Sequence, residues 1–132
     1  MAESNMTRPI VTDQKTAQKT IMVDLDGTLH KYSRGWQNGE LYDEPNPDVE
    51  YMLKTLVENG FRVIIFCARL NELEVPDVEV QKKMITEWLD KYGIRQGTHY
   101  AFMTCKKMGA LAYVDDKAVR WTNALDILKR FI

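Results

Sequence analysis

The length of the chain, 132 residues, predicts one domain with a single hydrophobic core. Its 45% hydrophobic and 28% charged residues are typical of an ordinary globular protein and argue against disorder of the whole chain. Eighteen basic residues against 19 acidic ones give a net charge of -1, so no field of the whole protein would draw it onto nucleic acid or anionic lipid.

The N-terminal segment 1–19 is polar and has no sustained apolar pattern. It is predicted to be a mobile tail, and the folded domain is predicted to span residues 20–132. Neither the apolar run of a signal peptide nor the roughly 20 apolar residues of a membrane span is found. We therefore expect a cytoplasmic protein without a membrane partner, whose two cysteines, Cys67 and Cys105, are reduced thiols.

The first predicted strand is the short apolar run 21–25, which ends in carboxylates and Gly27. This pattern indicates a buried strand whose C-terminal end is exposed. Residues 29–44 follow and are rich in Gly, Asn and Tyr without a clear period. This segment, the flap, is predicted to be a loop or small hairpin over the strand end.

A helix, a strand and a second helix are predicted after the flap. Asn46 is the predicted N-cap of the first helix, because it precedes a proline and an acid. The β-branched and aromatic run 61–67 predicts a second buried strand. Asp77 is the predicted cap of the next helix, which ends near Gly93, and a third strand is predicted at 100–104.

The last predicted elements are strands at 111–114 and 118–121 and a helix that Thr122 caps and that runs through Ile132. Strands that alternate with helices predict an α/β fold of three layers, with a mainly parallel, Rossmann-like sheet and helices on both faces. Such sheets bind ligands beyond the C-terminal ends of their strands. The acids that end two of these strands are therefore expected in one crevice.

Two pairs of acids carry the chemical signal. Asp24 and Asp26 can frame one site from alternate positions, although such a segment alone is nearly as typical of a polar turn. Asp115 and Asp116 would repel one another unless solvated or neutralised by a cation, and alone they are more typical of a helix cap or turn. Together the pairs form a set of hard oxygen ligands without His or Cys, which favours Mg²⁺ over zinc or copper.

At these residues the chain resembles the haloacid dehalogenase-like superfamily. Asp24-Leu25-Asp26-Gly27-Thr28 is similar to its first motif and Val114-Asp115-Asp116 to its fourth. Lys107 stands eight residues before Asp115, where the family has a lysine that neutralises phosphate. The resemblance covers roughly residues 19–121 in the expected motif order, and it implies a HAD-like fold without a cap domain.

The resemblance implies a Mg²⁺-dependent phosphatase. Asp24 would attack phosphorus to form an aspartyl-phosphate, and Asp26 would protonate the leaving oxygen and then activate water. The metal would be held by Asp24, by the main-chain carbonyl of Asp26 and by a carboxylate of Asp115 or Asp116. An acid at the second position, Asp26, separates the phosphatases of the family from its dehalogenases.

The second motif departs from the family, because Cys67 stands where Thr or Ser is usual. A thiol is a poorer donor than a hydroxyl, so Cys67 is as typical of a buried apolar residue as of a phosphate contact. The N–H of Ala68 would still bind a phosphoryl oxygen, while Arg69 would either add charge or be solvated. Lys106 and Lys107 are typical of a surface pair, but the spacing to the fourth motif favours Lys107 as a phosphate ligand.

The flap and the segment 67–107 are both too short for a cap domain. An open site favours a bulky or macromolecular phosphorylated substrate, or a cap supplied by another subunit of a homo-oligomer. Tyr32 and Arg34 of the flap would either hold the substrate or pack, and the role is left open. Trp36 is predicted to pack the flap onto the sheet.

Two other functions stay open. A phosphatase acting on nucleic-acid ends fits an open site, but the near-neutral charge weighs against it. A metal-binding interaction domain without turnover is supported by Cys67, whereas the intact Asp24, Asp26 and Lys107 count against it. His99 has no acid or cysteine beside it in sequence and is assigned no role.

Overall fold

The computed structural model of the chain describes residues 18–73, 75–115 and 119–132, with the backbone alone at 119 and 120. Nearly all of the predicted tail, residues 1–17, lies outside the described residues. So do Asp116 and the first residue of the predicted strand at 118–121. None of the helices in the described ranges has both the length and the apolar character needed to cross a membrane.

The described chain forms an α/β fold around a five-stranded sheet in the order β3-β2-β1-β4-β5. All neighbouring strands are parallel, which confirms the predicted parallel sheet. β1 is the central strand, with Val23 opposite Ile65 on one side and opposite Val114 on the other. The strands are β1 (Thr20–Asp24), β2 (Arg62–Phe66), β3 (Phe102–Thr104), β4 (Ala112–Asp115) and β5 (Val119–Arg120).

The helices are α1 (Val49–Glu58), α2 (Val78–Lys91) and α3 (Ala124–Lys129), with a 3-10 turn at Ala68–Leu70. The predicted cap of α2 is confirmed, because the carboxylate of Asp77 accepts a hydrogen bond from the N–H of Val80 at 3.2 Å. This satisfies one of the N–H groups that the first turn of a helix leaves without a partner.

The predicted caps of the other two helices are wrong by one or two residues. Asp48, in a left-handed conformation with φ 66°, precedes α1, and the Asn46 amide donates instead to the carbonyl of Thr28 at 2.6 Å. α3 begins after Asn123, whose side chain accepts from the N–H of Asp126, so Thr122 lies outside it. Asp48 makes no capping bond with its side chain, whereas Asn123 does, and both residue types are common at this position of a helix.

The helices of the described residues all pack on one face of the sheet, so the predicted helices on both faces are not found there. The buried residues of the three helices join one core with Ile21 and Val23 of β1. The other face has a smaller cluster of Met22, Ile64 and Met108, to which no described helix contributes. The described fold therefore has two layers.

The short connection between β3 and β4 explains the missing layer. Residues 105–111 must cross two strands to reach the far side of β1, a distance of about 14 Å, and also return to the start of a parallel strand. Seven residues span at most about 25 Å when extended, which leaves no length for a helix. Met108 of this connection instead covers Met22 and Ile64.

Candidate active site

Asp24 is the last residue of the central strand, and the chain turns sharply after it. The N–H of Leu29 donates to the carbonyl of Asp24, and the N–H of His30 donates to the carbonyl of Leu25. Gly27 lies in this turn with φ 83°, a conformation that favours glycine. The turn brings Asp26 back beside the end of β1, as the sequence pattern predicts.

The register of the sheet places Asp115 next to Asp24. Val23 pairs with Val114, so Asp24 and Asp115 are the next residues of adjacent parallel strands. Burial, and secondarily the nearby carboxylates of Asp26 and Asp115, raise the pKa of Asp24 to about 7. The N–H of Leu25 and the ammonium of Lys107 act in the opposite direction without compensating. Asp24 is therefore an acid whose ionised form lacks sufficient positive charge around it.

Lys107 lies at the same edge of the sheet and contacts Asp115, with 2.7 Å between its Nζ and Oδ2 of the carboxylate. This hydrogen bond raises the pKa of Lys107, against the effect of desolvation. The side chain is 42% exposed and lies over the rings of Phe66 and Tyr113. The predicted lysine is thus brought to the acids, with its ammonium group open to a ligand.

Asp26 has an environment opposite to that of Asp24, because two donors hold its carboxylate. Arg69 donates to it from two of its guanidinium nitrogens, Nε to Oδ2 at 2.7 Å and Nη2 to Oδ1 at 3.0 Å. Nδ1 of His30 lies 2.9 Å from Oδ1. Since Nε2 of His30 accepts from the N–H of Asp43, Nδ1 is the protonated nitrogen and donates to Asp26.

Arg69 is a residue of the candidate site whose environment the sequence leaves undecided. Its side chain is buried, with 3% of its surface exposed, so the alternative of a solvated arginine is wrong. It also donates to the carbonyl of Gly39 at 2.6 Å, and its guanidinium lies 5.1 Å from the ring of Trp36. Arg69 therefore ties the flap to the end of β2 and to Asp26 at the same time.

Cys67 lies in the main core with 1% of its surface exposed. Burial, and secondarily Asp26 and Asp24, raise the pKa of its thiol well above the usual value. The structure thus favours the buried apolar alternative for this residue. Ala68 is exposed beside it, at the start of the 3-10 turn, where its main chain lines the same edge of the sheet.

A cavity of about 290 Å³, partly open to solvent, lies between the flap and Asp26. Trp36 is 49% exposed and rests on Arg69, so the prediction that it packs the flap onto the sheet is wrong. Arg34 packs within the flap, 4.3 Å from the ring of Tyr42. The lining residues of the cavity are Asp26, Tyr32, Trp36, Ala68, Arg69 and Val75.

Within the described ranges, no group of three or more His, Cys, Asp or Glu side chains has the geometry of a metal site. Of the four predicted acids, Asp24, Asp26 and Asp115 lie at this edge, with the carboxylate of Asp26 bound by Arg69. Asp116 lies outside those ranges, so the set of four stays a prediction. The described residues that could hold a metal ion are oxygen donors, namely the carboxylates of Asp24 and Asp115 and the main-chain carbonyl of Asp26. These donors suit Mg²⁺, since the uncompensated charge on Asp24 is what a hard cation relieves.

His99 has an acidic partner that is distant from it in the sequence. Its ring is buried, with Nε2 only 2.5 Å from Oε2 of Glu50, and Nδ1 accepts from the N–H of Arg95. No acid stands beside His99 in the sequence, because Glu50 is 49 residues away. The pair joins α1 to the segment before β3, away from the acids at the end of β1.

The structure brings Asp24, Asp26, Lys107 and Asp115 to one edge of the sheet, as the sequence predicts. Arg69 joins them through Asp26. In comparisons with known proteins, no protein family, no curated protein and no solved structure matches this chain.

Proposed function

We propose that this chain is a HAD-like, Mg²⁺-dependent phosphatase that hydrolyses a phosphomonoester through an aspartyl-phosphate on Asp24. The observation that carries the proposal is the position of Asp24 at the C-terminal end of the central parallel strand, beside Asp26, Asp115 and Lys107. Ligands of open parallel sheets bind beyond that end of the strands. The chemistry of these groups matches what the resemblance of the two motifs implies.

Asp24 supplies the nucleophilic oxygen. Only its ionised form can attack phosphorus, and its pKa of about 7 means that much of it is protonated near neutral pH in the free protein. Bound Mg²⁺ would supply positive charge that favours the ionised carboxylate and offsets the charge of the phosphate. Asp24, Asp115 and the carbonyl of Asp26 would hold it, with Asp116 as the additional acid of the motif.

Asp26 supplies the proton-transfer group. Arg69 and His30 fix its carboxylate from two sides, so it has one orientation relative to the site. A positioned acid and base of this kind contributes about 10² to 10⁴ in rate. In the proposed reaction Asp26 gives a proton to the leaving oxygen and later takes one from the attacking water.

Lys107 and Ala68 bind the phosphoryl oxygens. The ammonium of Lys107 is held near the acids by Asp115 and is partly exposed, so it can contact a dianion. The N–H of Ala68 provides a neutral donor at the end of β2. Cys67 contributes no contact, because its thiol is buried in the core.

The test is Mg²⁺-dependent hydrolysis of 4-nitrophenyl phosphate by the wild type and by three matched Asp→Asn variants. Asp24→Asn should abolish turnover, and Asp26→Asn should reduce kcat by about 10² to 10⁴. Asp90→Asn, an exposed change on α2 far from the site, should have no effect. Equal rates for the wild type and Asp24→Asn would contradict the proposal, and Mg²⁺ binding without turnover would favour the interaction domain instead.

A further inference from the structure

The cavity beneath the flap is not explained by the chemistry of phosphoryl transfer. It has a volume of about 290 Å³, and Asp26 is one of its walls. Tyr32, Trp36, Ala68 and Val75 provide aromatic and aliphatic surface around it. At about 30 Å³ per water molecule, this space holds roughly ten waters, or a group of about that many non-hydrogen atoms.

The position of the cavity relates it to the leaving group. In the proposed reaction Asp26 protonates the oxygen that leaves phosphorus, so this oxygen must come within hydrogen-bond distance of the carboxylate. The group bonded to that oxygen therefore lies on the Asp26 side of the site. The cavity lies on this side of the site, because Asp26 is one of its walls.

The two aromatic walls are held in place before any ligand binds. Trp36 rests on the guanidinium of Arg69, which its bonds to Asp26 and Gly39 fix in turn. Tyr32 stacks on Tyr42 with 6.5 Å between ring centroids and has a left-handed backbone with φ 58°. A non-glycine residue in that conformation stores strain, a feature that clusters at ligand sites.

The charges in the cavity are already paired with one another. Arg69 and Asp26 are the charged walls, and they form a two-point ion pair. An ionised leaving group would find no unpaired partner among these two. A neutral group with a flat face would instead gain contact with the half-exposed ring of Trp36.

We propose that the substrate of this chain is a phosphomonoester whose leaving alcohol carries one neutral planar ring close to the ester oxygen, and that Trp36 stacks on this ring. The inference rests on the proposed phosphatase function, which it extends to a substrate class. It concerns only the group next to the ester oxygen, so the expectation of a bulky or macromolecular substrate stays a prediction.

The test compares benzyl phosphate with cyclohexylmethyl phosphate. Both release a primary alcohol of similar size and acidity, so they differ mainly in the planarity of the ring. Stacking predicts that kcat/KM of the wild type favours benzyl phosphate by about 5- to 10-fold. Trp36→Leu should bring the ratio close to one, and Trp36→Phe should keep most of it.

Tyr51→Leu is the matched control, because Tyr51 is equally exposed at 54% but lies on α1 outside the cavity. It should leave the ratio unchanged. A wild-type ratio near one, or a ratio that Trp36→Leu does not alter, overturns the inference while leaving the phosphatase proposal intact.

Binding of benzylphosphonate and cyclohexylmethylphosphonate, measured by calorimetry, separates the two proposals. These compounds cannot be hydrolysed, so the measurement does not depend on turnover. A Trp36-dependent preference for benzylphosphonate in a protein that hydrolyses neither phosphate supports the cavity and refutes the phosphatase. Absence of both turnover and preference refutes both.

Discussion

Replacing Asp24 by Asn should make the free protein more stable near pH 8. The two side chains have nearly the same shape, so the change removes charge without opening a cavity. In the native fold the ionised Asp24 is buried beside Asp26 and Asp115, and Lys107 offsets only part of this repulsion. Residues that serve catalysis commonly destabilise the fold that holds them, and their replacement then stabilises it.

The magnitude follows from the pKa. A carboxyl group whose pKa moves from 3.8 to about 7 on folding corresponds to roughly 4 kcal/mol of destabilisation in its ionised form. This pKa already includes the effect of the Leu25 N–H, but the amide NH2 of Asn is a new donor in a partly buried site, and leaving it without a partner costs about 1 to 3 kcal/mol. We therefore expect Asp24→Asn to raise the free energy of unfolding by about 1 to 3 kcal/mol at pH 8.

The sign depends on pH in a specific way. Between about pH 4 and pH 7 the native state keeps a proton on Asp24 that the unfolded chain has released. The stability of the wild type thus falls, relative to Asp24→Asn, as the pH rises through this window. The difference should approach its smallest value near pH 4, grow up to about pH 7 and then stay constant.

Urea unfolding of both proteins from pH 4 to pH 8.5, without divalent ions, measures this difference. Addition of Mg²⁺ at pH 8 should stabilise the wild type more than the variant, because ligand binding to the native state adds to its stability. Asp43→Asn is a control of opposite sign, since the N–H of Ser33 lowers the pKa of the exposed Asp43. A difference that does not change with pH, or a less stable Asp24→Asn at pH 8, would refute the reasoning.

Three further variants or probes test separate features. Lys107→Met should lower kcat/KM by 10²-fold or more and cost about 1 to 2 kcal/mol in urea unfolding, because the buried Asp115 loses the ammonium of Lys107, whose own side chain is 42% exposed. A thiol reagent should label Cys105 alone in the native protein and both thiols in urea, since burial of Cys67 raises its pKa and blocks access. Asp77→Ala should cost about 1 kcal/mol in urea unfolding through the lost helix cap.

The strands and the acids at their ends could be predicted because their signals are local. An apolar run that stops at Asp24 or at Asp115 marks both the strand and its exposed end within five residues. Parallel pairing then places such ends at one edge of the sheet. The resemblance implies that Lys107 lies near Asp115, and the two are in contact because a short connection joins them.

The partners of Asp26 and His99 could not be predicted, because they come from distant parts of the chain. Arg69 is 43 residues from Asp26, and Glu50 is 49 residues from His99. Such pairs can be predicted only when the sheet order and the path of the flap are known. No periodicity or short motif in the sequence indicates these two pairs.

The absence of a second helical layer from the described residues could have been predicted from the length of one connection. Only seven residues separate β3 from β4, whereas a crossover that includes a helix needs a dozen or more. The general alternation of strands and helices concealed this exception. Counting residues between predicted strands, in addition to assigning element types, would have predicted that Met108 and its neighbours cover the second face.

Asp26 should respond to neutralisation in the opposite direction to Asp24, although only Leu25 separates them. Asp26→Asn leaves the buried guanidinium of Arg69 without its counter-charge, and removing one partner of such a pair costs about 3 to 5 kcal/mol. Partial exposure of the carboxylate reduces the expected loss to about 2 to 4 kcal/mol in urea unfolding. The two carboxylates therefore differ in charge environment, with Asp24 beside other acids and Asp26 beside a guanidinium. Destabilisation by both variants would mean that Asp24 is a structural residue, and stabilisation by both would mean that Arg69 does not hold Asp26 in solution.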